Sequence, residues 1–233
     1  MRLDVRSAAT LASRSLADRA DPAKAKDMQS YMKTDMPFYG VQKPGRTPIL
    51  RSLIANYAPE SREDYEELVL ALWRLPHREE KYLAQGVASA HREFILPESL
   101  PLYRRMIVEG AWWDFVDEVA THLIGSLVIR HPEEVWPVID GWIDDGDMWL
   151  RRAAIICQVG AKDRTDHHRL FGFCERRAHE KEFFIRKAIG WALREYAKTD
   201  PDGVATFVSV HRDELSGLSY REATKHIGGL VEP

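Results

Sequence analysis

The chain is short of the residues and patterns that mark several large classes of protein. Cysteine is nearly absent: only Cys157 and Cys174 occur in 233 residues, both beside apolar, helix-like sequence. That argues against a disulfide framework or a cysteine zinc site and fits a reducing compartment, with both thiols as packing residues. No segment approaches the uncharged run of about 20 residues needed to span a bilayer, and no apolar N-terminal run precedes a cleavage pattern. A cytoplasmic location without membrane contact is expected. His167 and His168 are adjacent and diverge on a helix, and H-E-x-x-H, C-x-x-C, G-x-S-x-G, P-loop and dinucleotide patterns are all missing. No metal, cofactor or covalent Ser or Cys chemistry is expected. Sustained two-residue alternation is lacking too, whereas apolar residues recur at helical spacing in nearly every long segment. The fold class is all-α.

Punctuation divides the helices. Asp21-Pro22 opens one, residues 40–48 read as a loop, and Ser61 with Asp64 forms a variant capping box. Breaks fall at 75–76, 96–97, 131–132, 160–166 and 199–201. Ser219 and Glu222 match the S-x-x-E box and predict the start of the last helix, while Pro137 predicts a kink or a short first turn. Hairpins follow over 112–144, 149–179 and 182–211, preceded by a less regular set over 65–74, 79–92 and 99–108. With no linker visible, residues 1–233 are expected to form one domain, a single curved α-solenoid of antiparallel helix pairs.

The net charge is −3, yet residues 151–198 hold twelve Lys and Arg against six Asp and Glu, a local excess of six positive charges. Such a segment suits a phosphate-binding face, although surface helices often carry comparable runs. Within it lies a period. Asp117, Arg152, Lys187 and Arg221 are spaced by 35, 35 and 34 residues in similar apolar frames. Stacked hairpins of that length would align the four along one concave face, an acid followed by three bases.

Four residues apart on a helix means one face, so Trp113 should flank Asp117 and Trp191 should flank Lys187. Indole faces attract cations, and a carboxylate stabilises positive charge that develops as a bond breaks. The same residues admit a structural reading, in which the tryptophans are core and Asp117 simply pairs with Arg152. Trp112, Trp136, Trp142 and Trp149 are assigned to core packing.

The strings 112–117, 149–155 and 181–197, together with Tyr31-Met32-Lys33, Gly40-Val41 and the ending 218–226, resemble the AlkD-type DNA alkylation repair glycosylases over nearly the whole chain. The resemblance implies a HEAT-like helical solenoid that grips duplex DNA and removes cationic alkylated purines, chiefly 7-methylguanine and 3-methyladenine. It places the catalytic carboxylate on Asp117, lesion-facing tryptophans on Trp113 and Trp191, a lesion-proximal tyrosine on Tyr31 and a backbone-binding arginine on Arg152. Lys187, Lys162, Arg194 and Arg221 join these as DNA-binding candidates. Where some relatives carry a loop lysine after the arginine, this chain has Gly160-Ala161 before Lys162. The implied enzyme is a monomeric, monofunctional hydrolase of the bacterial cytosol or nucleoid whose partner is duplex DNA containing alkylated bases. The competing reading is a noncatalytic helical-repeat scaffold that binds DNA or protein.

Overall fold

The computed structural model describes residues 3–230, which are all-α with no strand among them. The helices fall into two compact units, one ending at Leu102 and the other starting at Tyr103.

The first unit contains α1 (Val5–Ala17), α2 (Pro22–Met32), α3 (Lys43–Asn56), α4 (Arg62–Trp73) and α5 (Arg78–Ala90). Ala8, Ala12, Leu16, Leu53, Leu68, Leu72 and Val87 are fully buried where α1, α3, α4 and α5 meet. Asp21 and Ser61 cap α2 and α4 through their side-chain oxygens, as the sequence suggests. The loop expected over 40–48 is shorter than read, because α3 already begins at Lys43. Pro44 sits in the first turn, where no intrahelical N–H is required, and Pro48 forfeits one bond while buried Ile49 and Leu53 hold the helix to the core.

Two buried acids organise this unit. Glu79 accepts from the backbone N–H groups of Tyr39 (3.0 Å), Gly40 (2.8 Å) and Val41 (3.0 Å) and so fixes the segment before α3. Gly40 has φ of +83°, and a Cβ there would stand 2.1 Å from the Asp21 carbonyl oxygen, so only glycine fits. Glu80 accepts from Ser13 Oγ (2.6 Å), Tyr39 Oη (3.0 Å) and the His77 N–H (2.8 Å). Burial, and then the charge of Glu80, push the Tyr39 phenol up to about 12.

The division between units falls inside α6 (Leu100–Gly110). Beyond it come α7 (Trp113–Glu118), a π-helical turn (Val119–Ile124) running into α8 (Gly125–Arg130), and α9 (Pro132–Trp142). They are followed by α10 (Met148–Ile156), α11 (His167–Arg176), α12 (Phe183–Tyr196), α13 (Pro201–Val210) and α14 (Gly217–Ala223). The first helices of successive pairs, α7, α10, α12 and α14, pack on one another in order, and α9, α11 and α13 pack behind them. This is the solenoid arrangement that the 35-residue period implies. Helix α9 runs through Pro137 to Trp142, and Trp136, Trp142 and Trp149 are buried. Cys157 and Cys174 are buried free thiols; burial raises both, Cys157 to about 12.

The last helix starts earlier than its S-x-x-E pattern suggests. Ser216 is the cap, accepting from the Ser219 N–H, and Ser219 is fully buried one turn inside. The Ser219 hydroxyl is needed elsewhere: it donates to the Arg186 carbonyl of α12 (3.0 Å) and bonds Ser216 Oγ. Glu222 is thereby released from any capping duty.

Among the described residues no helix is long and apolar enough to cross a membrane, and no group of three or more His, Cys, Asp or Glu could hold a metal ion.

Candidate functional site

Asp117 lies near the end of α7, one turn after Trp113, immediately before the π-helical turn. Such turns insert one extra residue into a helix and recur at functional sites, and nothing in the sequence signals this one. The Thr121 hydroxyl from inside it donates to the Asp117 carbonyl (2.7 Å), occupying a carbonyl where the regular ladder is interrupted.

The Asp117 carboxylate is gripped end to end. Arg152 Nε donates to Oδ1 and an Arg152 Nη to Oδ2, both at 2.7 Å, and the other Nη donates to the Phe184 carbonyl at 2.6 Å. Arg152, on α10, therefore ties α7 to the start of α12. Its side chain is 6% exposed and that of Asp117 is 17% exposed, so the pair is largely withdrawn from water. Burial pushes the Asp117 carboxyl above its ordinary value, the Arg152 hydrogen bonds and charge pull against that rise, and nearby Asp114 adds to it. Beside the pair stands an aromatic cluster in which Trp112 packs against Trp149 and Phe184.

The second half of the row also resolves into a pair. Lys187 Nζ meets Glu222 Oε1 at 3.0 Å, and Arg194, on the same face of α12, donates to Glu222 Oε2. Trp191 is half-buried between these two bases in sequence, four after Lys187 and three before Arg194. Gly190 allows this approach of α12 and α14: a Cβ there would lie 2.5 Å from the Glu222 Cβ. The Lys187 and Arg194 contacts hold the Glu222 carboxyl below its ordinary value, the Lys187 hydrogen bond contributing most.

The row expected as one acid and three bases is thus two inter-repeat ion pairs at a spacing of 35, Asp117 with Arg152 and Lys187 with Glu222. Arg221 is exposed on α14, and the residue that meets Lys187 is its neighbour Glu222. The basic excess of 151–198 is consumed in the same manner. Arg169 pairs with Asp140, and Arg176 and Arg177 pair with Asp144, so with Asp117 and Glu222 four acids from outside the segment reduce its excess from six charges to two. Arg151 pairs with Glu180 inside the segment.

Lys162 is exposed in a 3-10 turn with φ of +58° and lines a cavity of about 250 Å³ with Gly160, Thr165, Tyr196 and Lys198, apart from the charged row. Tyr31 is 73% exposed at the end of α2, in the first unit. Trp113 is half-buried.

Sequence reasoning missed Glu222 and Phe184. The signal for Glu222 was present, since adding the 35-residue period to Lys187 reaches it, but its place in an apparent capping box concealed it. Phe184 contributes a backbone carbonyl, for which side-chain identity carries no signal.

Stacked helix pairs with charge pairing between repeats define a helical-repeat protein of the solenoid class. The chain belongs to the DNA alkylation repair enzyme family, whose profile matches residues 12–227. It is similar to a solved structure described as a predicted DNA alkylation repair enzyme from Enterococcus faecalis, at 29% identity and a TM-score of 0.83, covering 89% of this chain and 96% of that one. The fold is shared also with AlkD2 from Streptococcus mutans, at 16% identity and a TM-score of 0.62, covering 87% and 99% of the two chains. No curated protein sequence matches.

Proposed function

We propose that the protein is a monofunctional DNA glycosylase that hydrolyses the N-glycosidic bond of cationic alkylated purines, 7-methylguanine and 3-methyladenine, in duplex DNA and leaves an abasic site. The observation that carries this reading is the Asp117 carboxylate, aligned by a bidentate arginine one turn from Trp113.

A purine alkylated at N7 or N3 already carries positive charge and leaves readily, so the demanding part is the oxocarbenium-like sugar left behind. Glycosidases meet the same species with a carboxylate. Arg152 takes one N–H bond to each Asp117 oxygen, and an ionised carboxylate offers about four acceptor positions, so each oxygen retains capacity for a water or for the sugar cation. Fixing the carboxylate beforehand removes reorganisation at the moment of reaction. Trp113 and Trp191 supply indole faces to the cationic nucleotide through CH–π and cation–π contacts. Hydrolysis by water, with no lysine nucleophile, ends at the abasic site. Exposed Lys162, Arg221 and Tyr31 are the proposed DNA contacts, and Arg152 would reach a phosphate only with the two N–H donors that Asp117 and Phe184 leave.

The scaffold reading draws on the same pair, because a bidentate bridge between repeats is also what a purely structural clamp requires. The deciding measurement is single-turnover release of 7-methylguanine from a methylated duplex by wild type and by Asp117→Asn. Release slowed by about 100-fold or more with DNA binding retained supports the glycosylase. No release by either folded protein puts the scaffold first.

A further inference from the structure

Resting on the glycosylase reading, we propose that Lys187 and Arg194 form a phosphodiester subsite beside Trp191 that Glu222 occupies in the free protein, so that DNA binds there by displacing a carboxylate. Lys187, Trp191 and Arg194 follow one another at spacings of four and three and share one face of α12. Glu222 places one oxygen on each cation, Oε1 on Lys187 and Oε2 on Arg194. A phosphodiester presents two non-bridging oxygens in the same sense, so the carboxylate stands in for the ligand.

Three further observations favour exchange over a permanent bridge. The Lys187 side chain is 38% exposed, against 6% for Arg152, so its ammonium stays within reach of a ligand from solvent. Among the described residues these two cations share a single carboxylate, which leaves one positive charge over at the subsite. The Glu222 Cβ lies close against Gly190, where a Cβ would come within 2.5 Å of it, so the carboxylate is freed by side-chain rotation beyond that point and α14 need not move. Glu222 thereby holds the two cations together before DNA arrives and also competes with the phosphate. Asp117 and Arg152 differ on each point: one acid meets one base, both are more enclosed, and a backbone carbonyl takes a further donor.

The test is the salt dependence of binding to an unmodified duplex by wild type, Glu222→Gln and Glu222→Asp. A carboxamide cannot neutralise the cations, so E222Q is expected to bind several-fold more tightly at low salt, with a slope of log K against log salt steeper by about one. E222D restores the wild-type slope. An E222Q slope equal to or shallower than that of folded wild type overturns the proposal. Should E222Q fail to fold, Lys187→Gln addresses the same point: the slope becomes shallower by about one if Lys187 receives phosphate and is unchanged if it serves only to hold Glu222. Failure of the glycosylase reading is distinguishable, because it shows in the wild type itself as absence of base release.

Discussion

In the first unit Glu79 and Glu80 are fully buried and are met by backbone N–H groups and hydroxyls, whereas in the second unit Asp117 and Glu222 stay partly open and meet cations of the neighbouring repeat. The first arrangement uses donors that the fold has already placed, and its acids are spent on holding one loop. The second places opposite charges at a helix interface that retains access to water, where a ligand's charge can take part in the pairing. Carboxylates of similar chemistry therefore serve architecture in one unit and, in the function proposed, chemistry in the other.

The comparison breaks most visibly at Glu79. Glu79→Ala leaves three backbone N–H groups of the Tyr39–Val41 segment without their acceptor, and a loss of about 3–5 kcal/mol is expected in chemical denaturation. A loss under about 1 kcal/mol would mean that this loop does not depend on its clamp.

Arg152→Met tests the other side. Leaving Asp117 largely buried without its cation should cost about 2–3 kcal/mol, less than a fully buried pair because Asp117 keeps some exposure. It should also move the acidic limb of the base-release profile to higher pH, since Arg152 is the group opposing the burial-driven rise of the Asp117 carboxyl. An unmoved limb would remove Asp117 from the ionisation that governs the rate.

The smallest effect is one of sign. The native Asp117 carboxyl lies above its ordinary 3.8, so its contribution to stability is complete below that pH and is lost as pH rises through the native value. Glu222 lies below its ordinary 4.5, so its contribution is present above that pH and is lost as pH falls through the native value. Stability measured against pH for Asp117→Asn and Glu222→Gln should therefore differ from wild type with opposite slopes in the acid range. Slopes of the same sign would show that the two pairs are electrostatically alike.

Much of the second unit was legible from the sequence. The helical spacing, the breaks at Pro132 and Pro201 and the period of 35 located its hairpins, because local apolar pattern and turn chemistry act over a few residues. The first unit was less legible. Its helix α3 begins with a Lys-Pro-Gly stretch that reads as a loop, and Glu79 acts across about 40 residues of sequence on backbone groups that carry no side-chain signature. The π-helical turn after Asp117 was hidden for a similar reason, since an extra residue in a helix leaves the apolar pattern almost unchanged.

The sequence by itself determined an all-α chain, the repeat length and the candidate set of Asp117, Trp113, Trp191 and Arg152. The tertiary structure alone decided which charges meet. A period fixes the spacing of stacked helices, but one residue turns a side chain by about 100° around its helix, and so the choice between Arg221 and Glu222 as the partner of Lys187 is a change of sign that only the packed interface makes.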